Sequence, residues 1–262
     1  GGFSKAPAPA ECRQVAKQLE SARAHVADVA QIFLDCPFSL EPQTNYVALA
    51  GERFDYLSGD IVASGGYCIP QAHYRRYLER VVLPYSQAAA DEFDGKAYAV
   101  GSLARINLNR GTLHKRTRGD FPKFLSVFPS KNIYHNNLAQ AIEILHSIDA
   151  SVEILESADF RQEPIPEPKL PTSEAFGVAV LEAPRGNLYY MVKVQPDGRV
   201  SWGEIITPSS QNQISMTENI RLMIPPLLDR PKEEIVLEME KLIRAYDPCF
   251  SCASHFLKVR WL

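Results

Sequence analysis

Four prolines within eight residues divide this chain of 262 residues into two parts. The segment at 164–171 reads Pro-Ile-Pro-Glu-Pro-Lys-Leu-Pro. Proline fixes its own φ and lacks a backbone N–H, so a tract this dense cannot be helical and predicts a stiff, extended connector. The hydrophobic pattern changes across this connector, which separates a first part, 1–163, from a second part, 172–255.

The first part has the apolar spacing of helices. Within residues 11–33, apolar side chains recur at steps of three and four, which predicts an amphipathic helix. These side chains are Val15, Leu19, Ala22, Val26, Val29 and Phe33. Similar spacing predicts helices near 71–93 and 135–155, so we expect residues 1–163 to be helical.

The second part begins with the pattern of strands. Residues 176–181, 187–194 and 200–206 are rich in β-branched and aromatic residues, and Pro-Asp-Gly at 196–198 predicts a turn between the last two. Helices are predicted again near 217–228 and after Pro231. The fold class that follows is mainly α, with a small antiparallel β-sheet in the second half.

A compact group of metal-binding residue types lies near the C-terminus, in Asp-Pro-Cys-Phe-Ser-Cys-Ala-Ser-His at 247–255. Thiolates favour soft or borderline metals, and imidazole suits nickel, zinc and iron. Three other interpretations compete: a thioredoxin-like redox pair, a structural zinc site, and two buried thiols without chemistry. The predicted helix before the motif disfavours the first. The lack of a second ligand pair at usable spacing disfavours the second.

The motif resembles the C-terminal signature of the large subunit of nickel–iron hydrogenases. Four further segments resemble that family in the family's order: Gly-Ser-Leu-Ala-Arg-Ile-Asn at 101–107, the segment at 135–143, Glu-Ala-Pro-Arg-Gly at 182–186, and Pro-Ser-Ser-Gln-Asn at 208–212. The variants in the last segment and at 252–255 are similar to the cytoplasmic, cofactor-coupled hydrogenases. The resemblance implies the multihelical large-subunit fold and reversible heterolytic cleavage of H2 to protons and electrons.

The resemblance also assigns roles to individual residues. It implies nickel bound by Cys249 as a terminal ligand, and Cys252 bridging nickel to an iron that carries cyanide and carbonyl ligands. His255 would bind magnesium. Arg185 would pair with Asp247 beside the metals, as a fixed charge and hydrogen-bond donor or as a transient base. The proton from H2 would pass to a terminal cysteine thiolate, such as that of Cys249, or to Arg185.

Three further residues are assigned to the pocket around the iron ligands. Ser209 would donate a hydrogen bond to a cyanide, and Pro184 and Pro208 would shape the dry pocket. Ser209 also suits a simple turn after a strand, and the two roles are compatible.

One departure from the family concerns thiolate number. The family uses four, two of them from an N-terminal Arg-x-Cys-x-x-Cys motif, which this sequence lacks. We therefore expect the chain to be the C-terminal portion of a large subunit and to be inactive alone. Residues 256–262 resemble a propeptide that a C-terminal endopeptidase removes during maturation, so the sequence is either that of an unprocessed precursor or that of a variant that keeps this tail. Expected partners are an iron–sulfur small subunit, maturation proteins and H2.

Composition narrows the remaining classes. A net charge of −3 gives no electrostatic footprint for nucleic acid, and no apolar run is long enough for a membrane span. Five cysteines, an odd number at irregular spacing, suit a reducing cytoplasm better than a disulfide framework. The alternative function is a non-catalytic, large-subunit-like scaffold or assembly protein without the dinuclear site.

Overall fold

The computed structural model describes residues 5–84, 86, 89–162, 164, 167, 169–253 and 259. The long predicted helices are confirmed: α1 spans Pro9–Leu34 and α5 spans His135–Ser157. The two helices pack along each other, and Ala16 of α1 meets Ile148 and Val152 of α5 in a small apolar cluster. Between them lie α2 (Ser102–Asn109), α3 (Lys115–Asp120) and α4 (Pro122–Leu125).

The first part also contains strands that the sequence patterns did not predict. Strands β1 (Asn45–Ala50), β2 (Asp60–Ala63), β3 (Tyr67–Ile69) and β6 (Tyr98–Ala99) form one sheet in the order β3-β2-β1-β6. In that sheet β1 is antiparallel to β2 and parallel to β6. The expectation that residues 1–163 are helical throughout is therefore wrong for this region.

The helix predicted near 71–93 is also wrong. A short 3-10 helix, Gln71–Arg76, precedes two antiparallel strands, β4 (Leu78–Val81) and β5 (Ala90–Phe93). Pro84 lies between these strands and is incompatible with a helix interior. The apolar spacing has a different origin, because Tyr74, Leu78 and Phe93 enter the core from separate elements.

The second part follows the prediction closely. Strands β7 (Ala175–Ala183), β8 (Gly186–Val194) and β9 (Val200–Ile206) form an antiparallel sheet in that order. Of the predicted connector, residues 164, 167 and 169–171 are described, and they lie outside helix and strand; the others lie outside the described residues.

Helices close the second part. They are α6 (Pro208–Gln211), α7 (Gln213–Met223), α8 (Lys232–Ala245) and α9 (Phe250–Ala253). The helix predicted near 217–228 begins earlier and gives way to a 3-10 turn at Pro225–Leu227. The larger core packs α2, α5 and α8 together, and a second core fills the space between the sheets.

Candidate metal centre

A tight hairpin presents Arg185. Ala183 of β7 pairs with Gly186 of β8, so that Pro184 and Arg185 form a two-residue turn. Gly186 has φ +132°, and a Cβ there would lie 2.4 Å from Cγ2 of Val100 and 2.9 Å from the backbone N of Gly101. Only glycine permits both this backbone conformation and this close approach. The turn is therefore pressed against the start of α2.

The segment around α6 is anchored at the same place. The side chain of Asn212 accepts a hydrogen bond from Val100 N at 2.9 Å and donates one to Val100 O at 3.3 Å. Pro208 occupies the first turn of α6, where its missing N–H costs nothing, and Ser209 is buried. The hairpin and the α6 segment, which are separate in the sequence, thus both contact the chain at residues 100 and 101.

Asp247 lies where the chain leaves α8. Its φ of +50° is in the left-handed region, which aspartate tolerates better than most residues. Its Oδ1 lies 3.2 Å from a terminal nitrogen of Arg185, and its backbone carbonyl accepts from Arg185 Nε at 2.7 Å. Gln140 of α5 donates to the other carboxylate oxygen at 3.0 Å. The carboxylate is therefore held by both Arg185 and Gln140. The guanidinium is held by two groups of Asp247, its carboxylate and its backbone carbonyl.

The two cysteines of the motif lie together. The Sγ of Cys252 donates to the Sγ of Cys249 at 2.9 Å, and Cys249 Sγ lies 3.1 Å from the Ser251 hydroxyl. These hydrogen bonds, that from Cys252 above all, lower the pKa of Cys249 to about 7. The same interaction raises the pKa of Cys252. The pair therefore favours a thiolate on Cys249.

Ser209 connects the cysteines to α6. Its Oγ accepts a hydrogen bond from Cys249 N at 3.0 Å. The structure thus brings together five of the predicted site residues: Arg185, Asp247, Cys249, Cys252 and Ser209. The two predicted prolines are their sequence neighbours, since Pro184 precedes Arg185 and Pro208 precedes Ser209. His255 and the predicted propeptide at 256–262, apart from residue 259, lie outside the described residues.

A buried ionic cluster contacts the backbone of this hairpin. Arg105 of α2 donates to Glu143 through Nε at 2.6 Å and a terminal nitrogen at 2.7 Å, and to Glu182 of β7 at 2.6 Å. It also donates to the carbonyls of Ala183 and Pro184, at 3.1 and 2.9 Å. One side chain therefore fixes the backbone of the turn that carries the predicted active-site arginine.

The charges of this cluster stabilise one another. Burial opposes the charge on Arg105, but Glu143 and Glu182 outweigh it and raise the pKa of the guanidinium. Burial raises the pKa of Glu182, while Arg105 and a hydrogen bond from Leu49 N at 2.7 Å act in the opposite direction. Residue-by-residue interpretation of the sequence missed this cluster, although each of its charged members lies in a segment that resembles the family.

A cavity of about 620 Å³ lies beside the ionic cluster and extends to the turn that carries Arg185. It reaches Gln140, which holds Asp247, and Pro184, which precedes Arg185. The residues that line it are Tyr56, Ser102, Arg105, Gln140, Glu143, Ile144, Ser147, Glu182 and Pro184.

The donor set fits a borderline metal in part. Two sulfurs 2.9 Å apart can both lie within bonding distance of one ion, since metal–thiolate bonds are about 2.3 Å for zinc. Thiolates are also the ligands that distinguish such metals from magnesium or calcium. Among the described residues, no group of three or more His, Cys, Asp or Glu is arranged to hold a metal ion. The described residues thus offer two neighbouring thiols to a metal.

Comparison with known proteins identifies the family. The model of the nickel-dependent hydrogenase family matches residues 70–255, which is most of the chain and includes the cysteine motif. The chain therefore belongs to the nickel-dependent hydrogenases, as a large-subunit member, and the predicted resemblance is confirmed.

Curated relatives agree. The chain is 30% identical to sulfhydrogenase 1 subunit alpha of Pyrococcus furiosus, over 99% of this chain and 61% of that protein. It is 31% identical to the NAD-reducing hydrogenase HoxS subunit beta of Cupriavidus necator, over 60% of this chain and 34% of that protein. The name of the second relative fits the predicted cofactor-coupled subgroup. The chain thus spans about three fifths of the length of the first relative.

Solved structures share the fold. An NAD+-reducing NiFe hydrogenase in the H2-reduced state superposes with a TM-score of 0.77 at 24% identity, covering 97% of this chain and 62% of that one. A NiFeSe hydrogenase from Desulfomicrobium baculatum gives 0.66 at 18% identity, again over 97% and 62%. At these identities the likeness establishes the fold, and it confirms the mainly helical fold class. In the part of the chain that the structure describes, no helix is both long and apolar enough to cross a membrane.

Proposed function

We propose that this chain is part of the catalytic subunit of a nickel–iron hydrogenase that cleaves H2 reversibly into protons and electrons. The observation that carries the proposal is the thiol pair of Cys249 and Cys252. It is tied to Ser209 at 3.0 Å and follows directly on the Arg185–Asp247 pair, in a chain of the nickel-dependent family. Members of a shared fold can differ in chemistry, so the retained thiols and charge pair support the enzyme over a scaffold.

The two cysteines would hold the metals. Cys249 would bind nickel and Cys252 would bridge it to an iron with cyanide and carbonyl ligands, the other two thiolates coming from elsewhere in the complete subunit. When bound, this centre supplies the electrophilic site at which H2 is polarised. His255 is proposed as a magnesium ligand.

The remaining site residues would bind and orient the ligands of the metals and would exclude water from the pocket. A guanidinium is effectively always protonated, so Arg185 holds a fixed positive charge, and Asp247 orients its planar fork. The Ser209 hydroxyl accepts from Cys249 N and can donate at the same time, which suits a cyanide acceptor. Pro184 and Pro208 contribute apolar walls without N–H donors. The proton would pass to a terminal cysteine thiolate, for which Cys249 is the candidate, or to Arg185.

The complete enzyme would contain further proteins. We propose an iron–sulfur small subunit as electron acceptor, maturation proteins that deliver the metals, and a C-terminal endopeptidase, all in the cytoplasm. These partners follow from the family and would be tested by co-purification of the complete subunit.

Metal analysis of the complete complex, produced with its maturation proteins, tests the function. We expect nickel in the purified complex, cyanide and carbonyl stretches in its infrared spectrum, and H2-dependent dye reduction. Cys249→Ser and Cys252→Ser should lose nickel, whereas Cys68→Ser, which changes an exposed thiol on β3, should retain it. A matured complex without nickel and without these stretches would favour the scaffold instead.

A further inference from the structure

One face of α5 lines two neighbouring cavities, the first beside the ionic cluster and the second farther along the helix. Gln140, Glu143, Ser147 and Ser151 recur at steps of three and four, so they share one side of the helix. The first three line the cavity of about 620 Å³ beside the ionic cluster. Ser147 and Ser151 line a second cavity of about 780 Å³. At 1.5 Å per residue, this polar face covers roughly 17 Å along the helix.

The two cavities share two lining residues, Tyr56 and Ser147, which we call the neck. Their hydroxyls lie 3.4 Å apart. Beyond the neck, the outer cavity reaches Glu153, whose side chain is 60% exposed and lies 2.6 Å from Nε2 of His114. The outer cavity is therefore lined by a titratable pair open to water.

The inner cavity has the polar partners and the space that water needs. A water molecule occupies about 30 Å³ of liquid and requires two to four hydrogen-bonding partners. Gln140, Glu143 and Ser147 offer such partners along its wall, and Gln140 also bonds Asp247 at 3.0 Å. Water in this cavity would therefore extend from Gln140, the hydrogen-bond partner of Asp247, to Tyr56 and Ser147.

The ionic cluster gives the cavity groups that attract protons. The cluster holds two carboxyl groups, those of Glu143 and Glu182, against the single guanidinium of Arg105. Carboxyl oxygens attract an excess proton, and in a low-dielectric interior such attraction is stronger than in water. Glu143, which lines the cavity wall, is the member placed to meet such a proton.

We propose that the polar face of α5 is a proton route of the hydrogenase, with the Arg105–Glu143–Glu182 cluster as its internal resting place and Glu153 with His114 as its outlet. The route rests on the proposed function. Oxidation of one H2 gives two protons and two electrons; the electrons pass to the iron–sulfur acceptor, and the protons travel through cavity water past Glu143 and the neck. In H2 production the same route runs inward.

Two variants in the matured complex test the route. Glu143→Gln keeps the size and a hydrogen-bond acceptor for Arg105 but removes the carboxyl group. Ser147→Leu leaves the cluster intact and fills the neck. We expect each to lower H2 oxidation at least about tenfold, within the range of effects for positioned proton-transfer groups. Nickel content, the infrared stretches and the KM for H2 should stay those of the wild type, while the rate ratio between H2O and D2O should rise.

The matched control is Glu156→Gln, the same change at an exposed position of α5 that lines neither cavity; it should keep the wild-type rate. Should Glu143→Gln lose its nickel, Ser147→Leu decides the matter alone. Fully loaded variants with wild-type rates and an unchanged solvent isotope effect would overturn the route while leaving the hydrogenase assignment intact. A wild-type complex without nickel would overturn both.

Discussion

Two arginines of this protein pair with carboxylates in opposite settings. The Arg105 side chain is 2% exposed and bonded to Glu143 and Glu182, which are 8% and 0% exposed. The Arg185 side chain is 39% exposed and bonded to Asp247, which is 33% exposed. The side chains of the first group are buried against one another, whereas both side chains of the second pair remain partly exposed to solvent.

The difference in exposure gives the two pairs different effects on stability. A buried charge that loses its partner is left in a medium that cannot solvate it, so the Arg105 cluster is costly to break. A partly exposed pair contributes little to stability because water screens it. The Arg185 guanidinium can therefore interact with a ligand at a small cost in stability. Arg105 binds the backbone carbonyls of Ala183 and Pro184 and so fixes the turn from which Arg185 projects.

The largest effect should come from removing the buried guanidinium. Arg105→Met keeps the volume but leaves both Glu143 and Glu182 without their cation, so we expect the free energy of unfolding to fall by about 3–5 kcal/mol. Chemical denaturation of the purified protein measures this. Arg221→Met, at an exposed position of α7, is the control and should stay within about 0.5 kcal/mol. Equal stability of Arg105→Met and the wild type would show that the cluster does not bear on stability.

The exposed arginine should show the reverse pattern. Arg185→Lys keeps a charge but loses the bidentate fork, so turnover of the matured complex should fall at least about a hundredfold, or roughly 2.7 kcal/mol of barrier. Nickel content should not change, and stability should change by less than about 1 kcal/mol. Arg199→Lys, in the turn between β8 and β9, is the matched control. Near-normal turnover of Arg185→Lys would remove this residue from the mechanism.

The two arginines also show what the sequence can predict. Arg185 was identified because it lies in a short motif with a known family pattern, and the sheet that holds it follows from alternation and a Pro-Asp-Gly turn. The role of Arg105 cannot be predicted in this way, because its partners lie 38 and 77 residues away in the sequence. Nothing in the neighbouring sequence marks this arginine as buried. Its motif was recognised, but the motif does not reveal which charges neutralise it.

The missed strands have a similar cause. β1 is buried along four consecutive residues, so it lacks the alternation that marks a half-exposed strand, and β6 has only two residues. Such strands are defined by partners elsewhere in the chain. The long helices α1 and α5 were predictable because their apolar stripes repeat over many turns within one segment.

A glycine between the two regions tests how tightly the buried cluster aims the exposed arginine. Gly186→Ala places a Cβ 2.4 Å from Val100 and requires a φ of +132° that alanine avoids. We expect a loss of about 1–3 kcal/mol in unfolding free energy and a fall in turnover from the displaced Arg185. Gly177→Ala on β7 is the matched control, because its Cβ would only touch Val192 at 3.9 Å. A Gly186→Ala variant with wild-type turnover would show that the turn tolerates displacement.

The smallest expected effect concerns pH, and it lies in the helix that borders both regions. His146 of α5 accepts from His114 N through Nδ1 at 2.9 Å, and its Nε2 lies 3.0 Å from Phe54 O. An Nε2–H tautomer satisfies both contacts while the ring is neutral. Burial lowers the pKa of His146 below its ordinary value of 6.5, and nearby His114 acts in the same direction, whereas Phe54 O, Glu143 and Asp149 act against it.

The sign of the pH effect follows from proton linkage. Between the lowered pKa and 6.5, the unfolded chain binds more protons at this position than the folded protein does. Stability from His146 is therefore complete above pH 6.5 and is lost as the pH falls through that window. His146→Gln can accept and donate the same hydrogen bonds without titrating, so its unfolding free energy should decline less between neutral and mildly acidic pH. The slope for Arg185→Lys should match the wild type, since this substitution exchanges one basic side chain for another and leaves His146 in place. Identical slopes for His146→Gln and the wild type would assign the acid sensitivity to other groups, with Glu20 and its lowered pKa next to be examined at lower pH.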